Sequence, residues 1–222
     1  MRFTKPAGAQ LVALVVALCL VAGVVGWRIG RGFPPGRDAP EVAFMFDMIG
    51  HHEQAIAMSQ IELANGTDPD VQVFAEEIIR FQSYEIGLME RFLAERGHTR
   101  YDAPGLAMAW MDDPVPRDSM PGMASGVEMD GLRSAGEDTD AWFVALMVDH
   151  HAGGVAMLAA VLEHTDGDLR DLVERMRTAQ ESEIAELLRA AERGGHDVPP
   201  DGVTWEVYGI EGSHGHDDDG GP

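Results

Sequence analysis

The stretch Phe44–Met58 returns 99 residues later as Phe143–Met157, and this duplication limits the folds open to the chain. Under that offset Phe44, Met48, His51, His52, Ala57 and Met58 fall on Phe143, Met147, His150, His151, Ala156 and Met157. Neither copy contains proline, and their apolar residues recur at three- and four-residue steps, so each reads as helix. A helix brings residues at such steps to one face. One seam reads Phe44, Met48, His51, Ala55, Met58, and its partner reads Phe143, Met147, His150, Gly154, Met157. Each seam carries two thioethers and an imidazole, with a small residue leaving room between them. His52 and His151 sit about 100° further round.

The duplication extends beyond these stretches. Gln82-x-x-Glu85-Ile86 matches Gln180-x-x-Glu183-Ile184 at an offset of 98, so the repeated unit is a helical hairpin. Asp38 and Glu41 resemble a capping box before a first helix over 40–64, which Asn65-Gly66 ends. Asp68-Pro69 starts a second helix to about Arg96. Its seam reads Val71, Phe74, Ile78, Phe81, Glu85, Leu88, Phe92. Residues 98–137, rich in Pro, Gly, Asp and Met, form a long connection. Asp138 or Thr139 caps a third helix to about His164. Asp166 or Asp168 opens a fourth, which ends at Gly194-Gly195 and whose seam reads Leu169, Leu172, Met176, Ala179, Glu183, Leu187. Two hairpins joined by a long crossover predict an all-α, ferritin-like four-helix bundle. The expected organisation is a signal or anchor segment with linker at 1–37, the bundle at 38–195, and an acidic Gly/His tail, poorly ordered, at 196–222.

The N-terminal segment reads as an export or anchoring helix. Arg2 and Lys5 give a basic start, and Leu11–Val25 is uncharged and apolar. The run approaches the roughly 20 residues that span a bilayer, and it also suits a signal peptide. An extracytoplasmic protein is expected, either anchored in the membrane by this helix or secreted after cleavage. All 38 acidic residues lie at or after Asp38, against 11 Arg and no Lys. Such a surface repels nucleic acid and anionic headgroups and draws cations without selectivity. The single cysteine, Cys19, lies in the apolar run. The remainder therefore has no disulfide, zinc ribbon or thiol catalyst. Soft ligation there must come from methionine, of which the chain has 13.

One Met/His seam alone reads as ordinary core. Two equivalent seams bring up to four imidazoles into the bundle interior, and burying them without a role is costly. Thioether with imidazole suits copper, and thioether in particular suits Cu(I). Glu85 and Glu183 fall on otherwise apolar seams. They either orient a ligating His, bind metal directly, or turn to solvent. A di-iron carboxylate site needs Glu-x-x-His on each of two helices, and the chain has none. No dinucleotide, Walker or serine-hydrolase motif occurs. Met108, Met111, Met120, Met123 and Met129 fall in the long connection, where they either capture copper or pack on the bundle. The closing His214-Gly215-His216-Asp217 is a weaker metal signal.

The paired Met-x-x-His-His-x-x-Ala-Ile/Val-x-Met helices resemble the domain-of-unknown-function 305 family. So do the Met120-Pro121-Gly122-Met123 turn and the Gln-x-x-Glu-Ile motifs, and the likeness spans roughly 41–194. The resemblance implies a ferritin-like bundle that is exported or membrane-anchored. Some members bind copper in the periplasm and support copper tolerance. It carries Met48, His51, His52 and Met58 over as ligands, with Met147, His150, His151 and Met157. Gly50 stands where proline is common, and Gly153-Gly154 is expected to loosen the third helix. Leu187 stands where a counterpart to Met89 would be, so a site using Met89 is single.

These observations predict an extracytoplasmic protein that sequesters or shuttles copper, most simply without catalysis. Its partners are a metal ion and, through the N-terminal segment, a membrane. Self-association stays open. An iron-binding or redox ferritin-like protein and a metal-free scaffold are the alternatives.

Overall fold

In the computed structural model, which describes residues 7–30, 35–111 and 113–198, every long element is a helix. The chain divides into two units, Met1–Pro35 and Gly36–Pro222. The first contains α1, Ala7–Gly30, whose uncharged apolar stretch Gln10–Gly26 presents exposed side chains throughout. The expected basic start at Arg2 and Lys5, the linker residues 32–34 and the tail from 199 onward lie outside the described residues.

The second unit holds α2 (Pro40–Asn65), α3 (Pro69–Glu95), α4 (Gly126–Ser134), α5 (Thr139–Val161) and α6 (Gly167–Gly194). Proline at the first turn starts both α2 and α3, where its fixed φ suits a helix and its missing N–H costs nothing. Asp68 caps α3, accepting from the Asp70 amide at 2.8 Å. Asp38 does not cap α2. The cap position is Ala39, and Asp38 pairs instead with Arg37. α6 ends on Gly195 in the left-handed region, at φ 72°.

Short loops make α2–α3 and α5–α6 antiparallel hairpins. The hairpins pack so that α2 meets α5 and α3 meets α6. Two buried clusters show that these pairs are also antiparallel. In one, Phe44 and Met48 of α2 join Met157 and Val161 of α5, while Met89 and Leu93 of α3 join Leu169 and Met176 of α6. In the other, Ala55 and Met58 meet Phe143 and Met147, and Val71 and Ala75 meet Leu187 and Ala190. Gly136–His164, which contains α5, is long and apolar enough to cross a membrane, but it is mostly buried inside this unit.

The faces of α3 and α6 are rotated from the expected seams. The buried stripe of α3 is Val71, Ala75, Ile78, Gln82, Met89 and Leu93, and Phe81 is 50% exposed. On α6, Gln180 rather than Ala179 turns inward. In both helices a glutamine displaces an apolar residue from the core.

The long connection runs through short 3-10 turns between 98 and 125 and then forms α4. Ser125 and Glu128 make a capping box there that the sequence reading did not use. Buried Asp47 of α2 anchors the connection. It accepts from the Met108 amide and Trp110 Nε1, both at 2.9 Å, and from Arg117 Nη1 at 3.3 Å. Burial pushes the Asp47 carboxyl above its ordinary range, against these donors. Trp110 stands edge-on to Phe44, with centroids 5.6 Å apart. Met108, Met120 and Met129 are buried, Met123 is half-buried, and Met111 is exposed. Most of the connection's thioethers are thus core residues rather than a loose acidic arm.

Gly66 closes α2 with φ −66°, so no left-handed turn requires it. Its hydrogen matters because a Cβ there would enter the Glu62 carboxyl group. Glu62 is fully buried, and neither of its oxygens has a protein donor. It faces Asp140, which accepts from the Asp68 amide at 2.9 Å and from the Thr67 amide and hydroxyl. Burial favours a protonated Asp140, but those donors outweigh it and hold the carboxyl below its ordinary value. Glu62 moves the other way. Burial, and then the neighbouring Asp140 and Asp68, raise it from 4.5 to about 8. His196 bonds Asp68 at 2.8 Å, and Arg193 pairs with Asp70. Because the folded value lies above the unfolded one, stability is fully present below the unfolded value and is lost as pH rises through the folded one. The melting temperature of the full chain should therefore fall between about pH 5 and pH 8, and Glu62→Gln, which keeps a donor toward Asp140, should flatten that fall. Thermal unfolding followed by circular dichroism across that range checks this, and an unchanged slope in the variant would rule the pair out as its source.

Candidate metal centre

The seams of α2 and α5 face each other as the repeat predicts. Phe44, Met48, His51, Ala55 and Met58 are buried, and so are Phe143, Met147, His150, Gly154 and Met157. His52 and His151, though further round, are buried as well, on the side facing α3 and α6. The His51 and His150 rings stack with centroids 3.7 Å apart and planes inclined by 36°.

Hydrogen bonds fix three of the four imidazoles. His51 Nε2 donates to the Pro121 carbonyl at 3.0 Å. His52 Nε2 donates to Glu85 Oε2 at 2.9 Å, and His151 Nε2 donates to Glu183 Oε2 at 2.7 Å. A carbonyl or carboxylate oxygen accepts, so the proton resides on Nε2 in each ring and Nδ1 keeps a lone pair. None of these Nδ1 atoms has a partner. Neither ring nitrogen of His150 makes a hydrogen bond of normal geometry, and its polar approach is to the His51 backbone. Glu85 and Glu183 remain 17% and 20% exposed, so they keep solvent contact while orienting the buried rings.

Burial is the main reason the His51 and His150 rings stay uncharged. It lowers His51 to about 3, with the nearby His52 and His151 pushing the same way and the Pro121 bond opposing. Burial, and then the other three imidazoles, hold His150 well below its ordinary value.

Two further polar side chains share the interior. Gln82 and Gln180 are counterparts in the repeat, and both are buried. A Cβ on Gly154 would meet Gln180 Oε1 and would stand 3.1 Å from His51 Cε1, which places that amide beside the stacked rings. Gln82 has no partner at either amide atom, and Gln180 Oε1 has none. Each unpartnered buried polar atom costs about 1–3 kcal/mol. Together with the five ring nitrogens, such a sum rivals a domain's whole net stability of about 5–15 kcal/mol. This layer is a poor way to fill a core and a suitable way to present donor atoms.

Among the described residues, no three His, Cys, Asp or Glu side chains are arranged to hold a metal ion. A centre of nitrogen and oxygen donors alone is therefore not assembled among these residues. The thioethers are divided. Met48, Met89 and Met157 lie in one buried cluster, and Met58 and Met147 lie in the other. Glu85 and Glu183 meet the histidines at Nε2, the position of orienting groups. The sequence reading missed Gln82 and Gln180 as members of the layer, although their doubled motif marked them. It also missed the Pro121 carbonyl, which no side-chain pattern could reveal.

The Met120–Met123 turn is built into this layer. Gly122 takes φ 77°, and a Cβ there would stand 2.8 Å from the His150 carbonyl oxygen. Gly153 accepts the Pro121–Gly122 backbone directly against its Cα. On the α2 side, Gln54 holds Ala124 by two bonds, Nε2 to the carbonyl at 2.8 Å and the amide to Oε1 at 2.7 Å. Gly153-Gly154 therefore does not loosen α5. It lets the turn and the α6 amide approach the imidazoles.

A family described as domain of unknown function DUF305 matches residues 41–191. A DUF305 protein of Streptomyces coelicolor, described as a candidate secreted protein, superposes with a TM-score of 0.66 at 30% identity. That match covers 74% of this chain and 98% of that one. A DUF305 fragment from Deinococcus radiodurans superposes with a TM-score of 0.61 at 26% identity, covering 69% and 96%. CopM in its Cu(I)-bound form gives 0.52 at 24% identity, over 69% and 96%, a likeness of fold. The comparison with curated proteins gave no match.

Gly153→Ala should disrupt the turn. The added methyl meets backbone, which cannot swing aside as a side chain can, so a loss of about 1–3 kcal/mol is expected. Thermal unfolding of the full chain measures it, and an unchanged melting temperature would show that the turn does not depend on this approach.

Proposed function

The chain belongs to the DUF305 family, and from its buried imidazole layer we propose that it is a metal-binding protein that holds copper as Cu(I). The observation that carries this reading is the set of Nδ1 lone pairs on His51, His52 and His151, each left free by a bond at Nε2. The thioethers flanking the layer, Met48 and Met157 on one side or Met58 and Met147 on the other, supply the soft donors that Cu(I) favours. Met89 adds a further thioether, and Glu85 and Glu183 orient His52 and His151 from behind. CopM, which shares the fold, is described in Cu(I)-, Cu(II)- and silver-bound forms, and this supports the reading.

The work proposed is sequestration or carriage of copper outside the cytoplasm, with residues 38–195 as the metal-binding domain. The Streptomyces coelicolor relative, described as a candidate secreted protein, supports that location. The exposed apolar surface of α1 supports a membrane anchor at the N-terminus. The acidic surface raises the local concentration of cations in general, and the buried layer supplies the selectivity.

Anaerobic titration of the full chain with Cu(I) against a competing chelator, with Zn(II) and Fe(II) in parallel, tests the reading. Tight Cu(I) binding is expected, with weaker binding of the other two ions. Replacing His51, His52, His150 and His151 by Leu should raise the Cu(I) dissociation constant by at least roughly a hundredfold, which is about 2.7 kcal/mol. The helical content should be retained. Unchanged affinity in this variant would overturn the site.

A further inference from the structure

The repeat makes the two ends of the imidazole layer images of each other, but the residues there are not equivalent. At one end Met48 of α2, Met89 of α3, Met157 of α5 and Met176 of α6 lie in one buried cluster. Under the repeat these map onto Met147, Leu187, Met58 and Ile78, all of which lie in the other cluster. One end thus offers four thioethers, one from each long helix. The other offers two thioethers and two aliphatic side chains. All eight residues are essentially inaccessible to solvent.

Packing does not demand this difference. Leu187 and Ile78 fill the corresponding positions at the other end, so the environment accepts an aliphatic side chain there. Exchange between Leu and Met conserves volume and usually costs less than about 1.5 kcal/mol. Met45, Met108 and Met120 enrich the same end further, and the long connection covers it. A groove between α3 and α6, lined by Leu88, Phe92, Leu169 and Leu172, backs onto this cluster from outside.

We infer that the soft ion sits off the pseudo-two-fold axis, between the imidazole layer and the end formed by Met48, Met89, Met157 and Met176, so that one chain holds one ion. This rests on the copper reading above. It adds Met176 as a ligand and makes Met58 and Met147 dispensable. Three or four neutral thioethers form a donor set for a monovalent soft cation, Cu(I) or Ag(I). The opposite cluster holds three thioethers, Met58, Met129 and Met147, against seven at this end, and only two of the three come from the long helices.

Paired variants of the full chain test this with Cu(I) and with Ag(I). Met89→Leu with Met176→Leu should weaken binding at least roughly tenfold, while Met58→Leu with Met147→Leu should leave it within about twofold. Melting temperatures check that all variants fold. X-ray absorption on the Cu(I)-loaded wild type should report at least three sulfur neighbours, and fewer in the first variant. The reciprocal variant, Ile78→Met with Leu187→Met, should raise the stoichiometry from one ion to two. Equal losses in the two paired variants, or a stoichiometry that stays at one in the reciprocal variant, would overturn the off-axis site while leaving copper binding intact. Failure of the wild type to bind either ion would overturn both readings.

Discussion

The His51 and His150 rings stack 3.7 Å apart at the α2–α5 contact, and that contact holds only while both rings are uncharged. Two imidazolium ions at this separation would repel by about 4–5 kcal/mol even at an effective dielectric of about 20. Burial already prevents the charge, since it lowers both rings far below their ordinary value. The surroundings are arranged to suit. Ala55 and Gly154 are small, so the helices approach closely enough for the rings to meet. Glu85 and Glu183 stand outside the stack and touch the other two histidines instead. The Pro121 carbonyl gives His51 a neutral acceptor where a carboxylate would have favoured protonation. The His51–His150 stack is thereby polar yet uncharged.

A duplicated hairpin would by itself give two identical ends. The single crossover removes that equivalence, because a connection that joins α3 to α5 can lie against the layer in only one orientation. Its turn rests on Gly153 of α5 and is gripped by Gln54 of α2, residues that occupy corresponding places in the two copies. The same segment carries Met108 and Met120 to one end, anchored by Asp47, and sends Ala124 and Met129 to the other. Once the two ends differ in cover, residues on α3 and α6 are free to differ as well, and Met89 and Met176 do.

The helices and the facing His seams were legible in the sequence because burial imposes periodicity, and the repeat stated that periodicity twice. The phase of α3 and α6 was not. A glutamine reads as a surface residue and a phenylalanine as core, so Phe81 falls on the expected seam and Gln82 does not, the reverse of the structure. The motif Gln-x-x-Glu held the correction, since in each copy its glutamate bonds a histidine of the neighbouring helix. The anchoring part of Asp47 is not legible locally, because its donors come from 61 and 63 residues away in the connection. The roles of Gly66, Gly122 and Gly153 were hidden for a related reason. Each glycine is fixed by what approaches it, and a sequence records composition, not approach. Met176 falls on the expected seam and is buried, but its relation to Met89 is one of space across the bundle rather than of offset along the chain.

Charge offers a selectivity that ligand softness alone does not. Imidazoles and thioethers are neutral, and the carboxylates of Glu85 and Glu183 stand one bond further out. An ion bound in such a layer brings its own charge into a poorly polarisable interior, and the cost of doing so grows with the square of that charge. A monovalent ion therefore enters at about a quarter of the desolvation penalty of a divalent one, with two carboxylates near enough to offset it. Zn(II) and Fe(II) face the full penalty, and thioethers compensate them poorly. For the copper reading, the acidic exterior and the uncharged interior then act in sequence. The exterior gathers cations of every kind, and the interior admits the one whose single charge and soft shell it can accommodate.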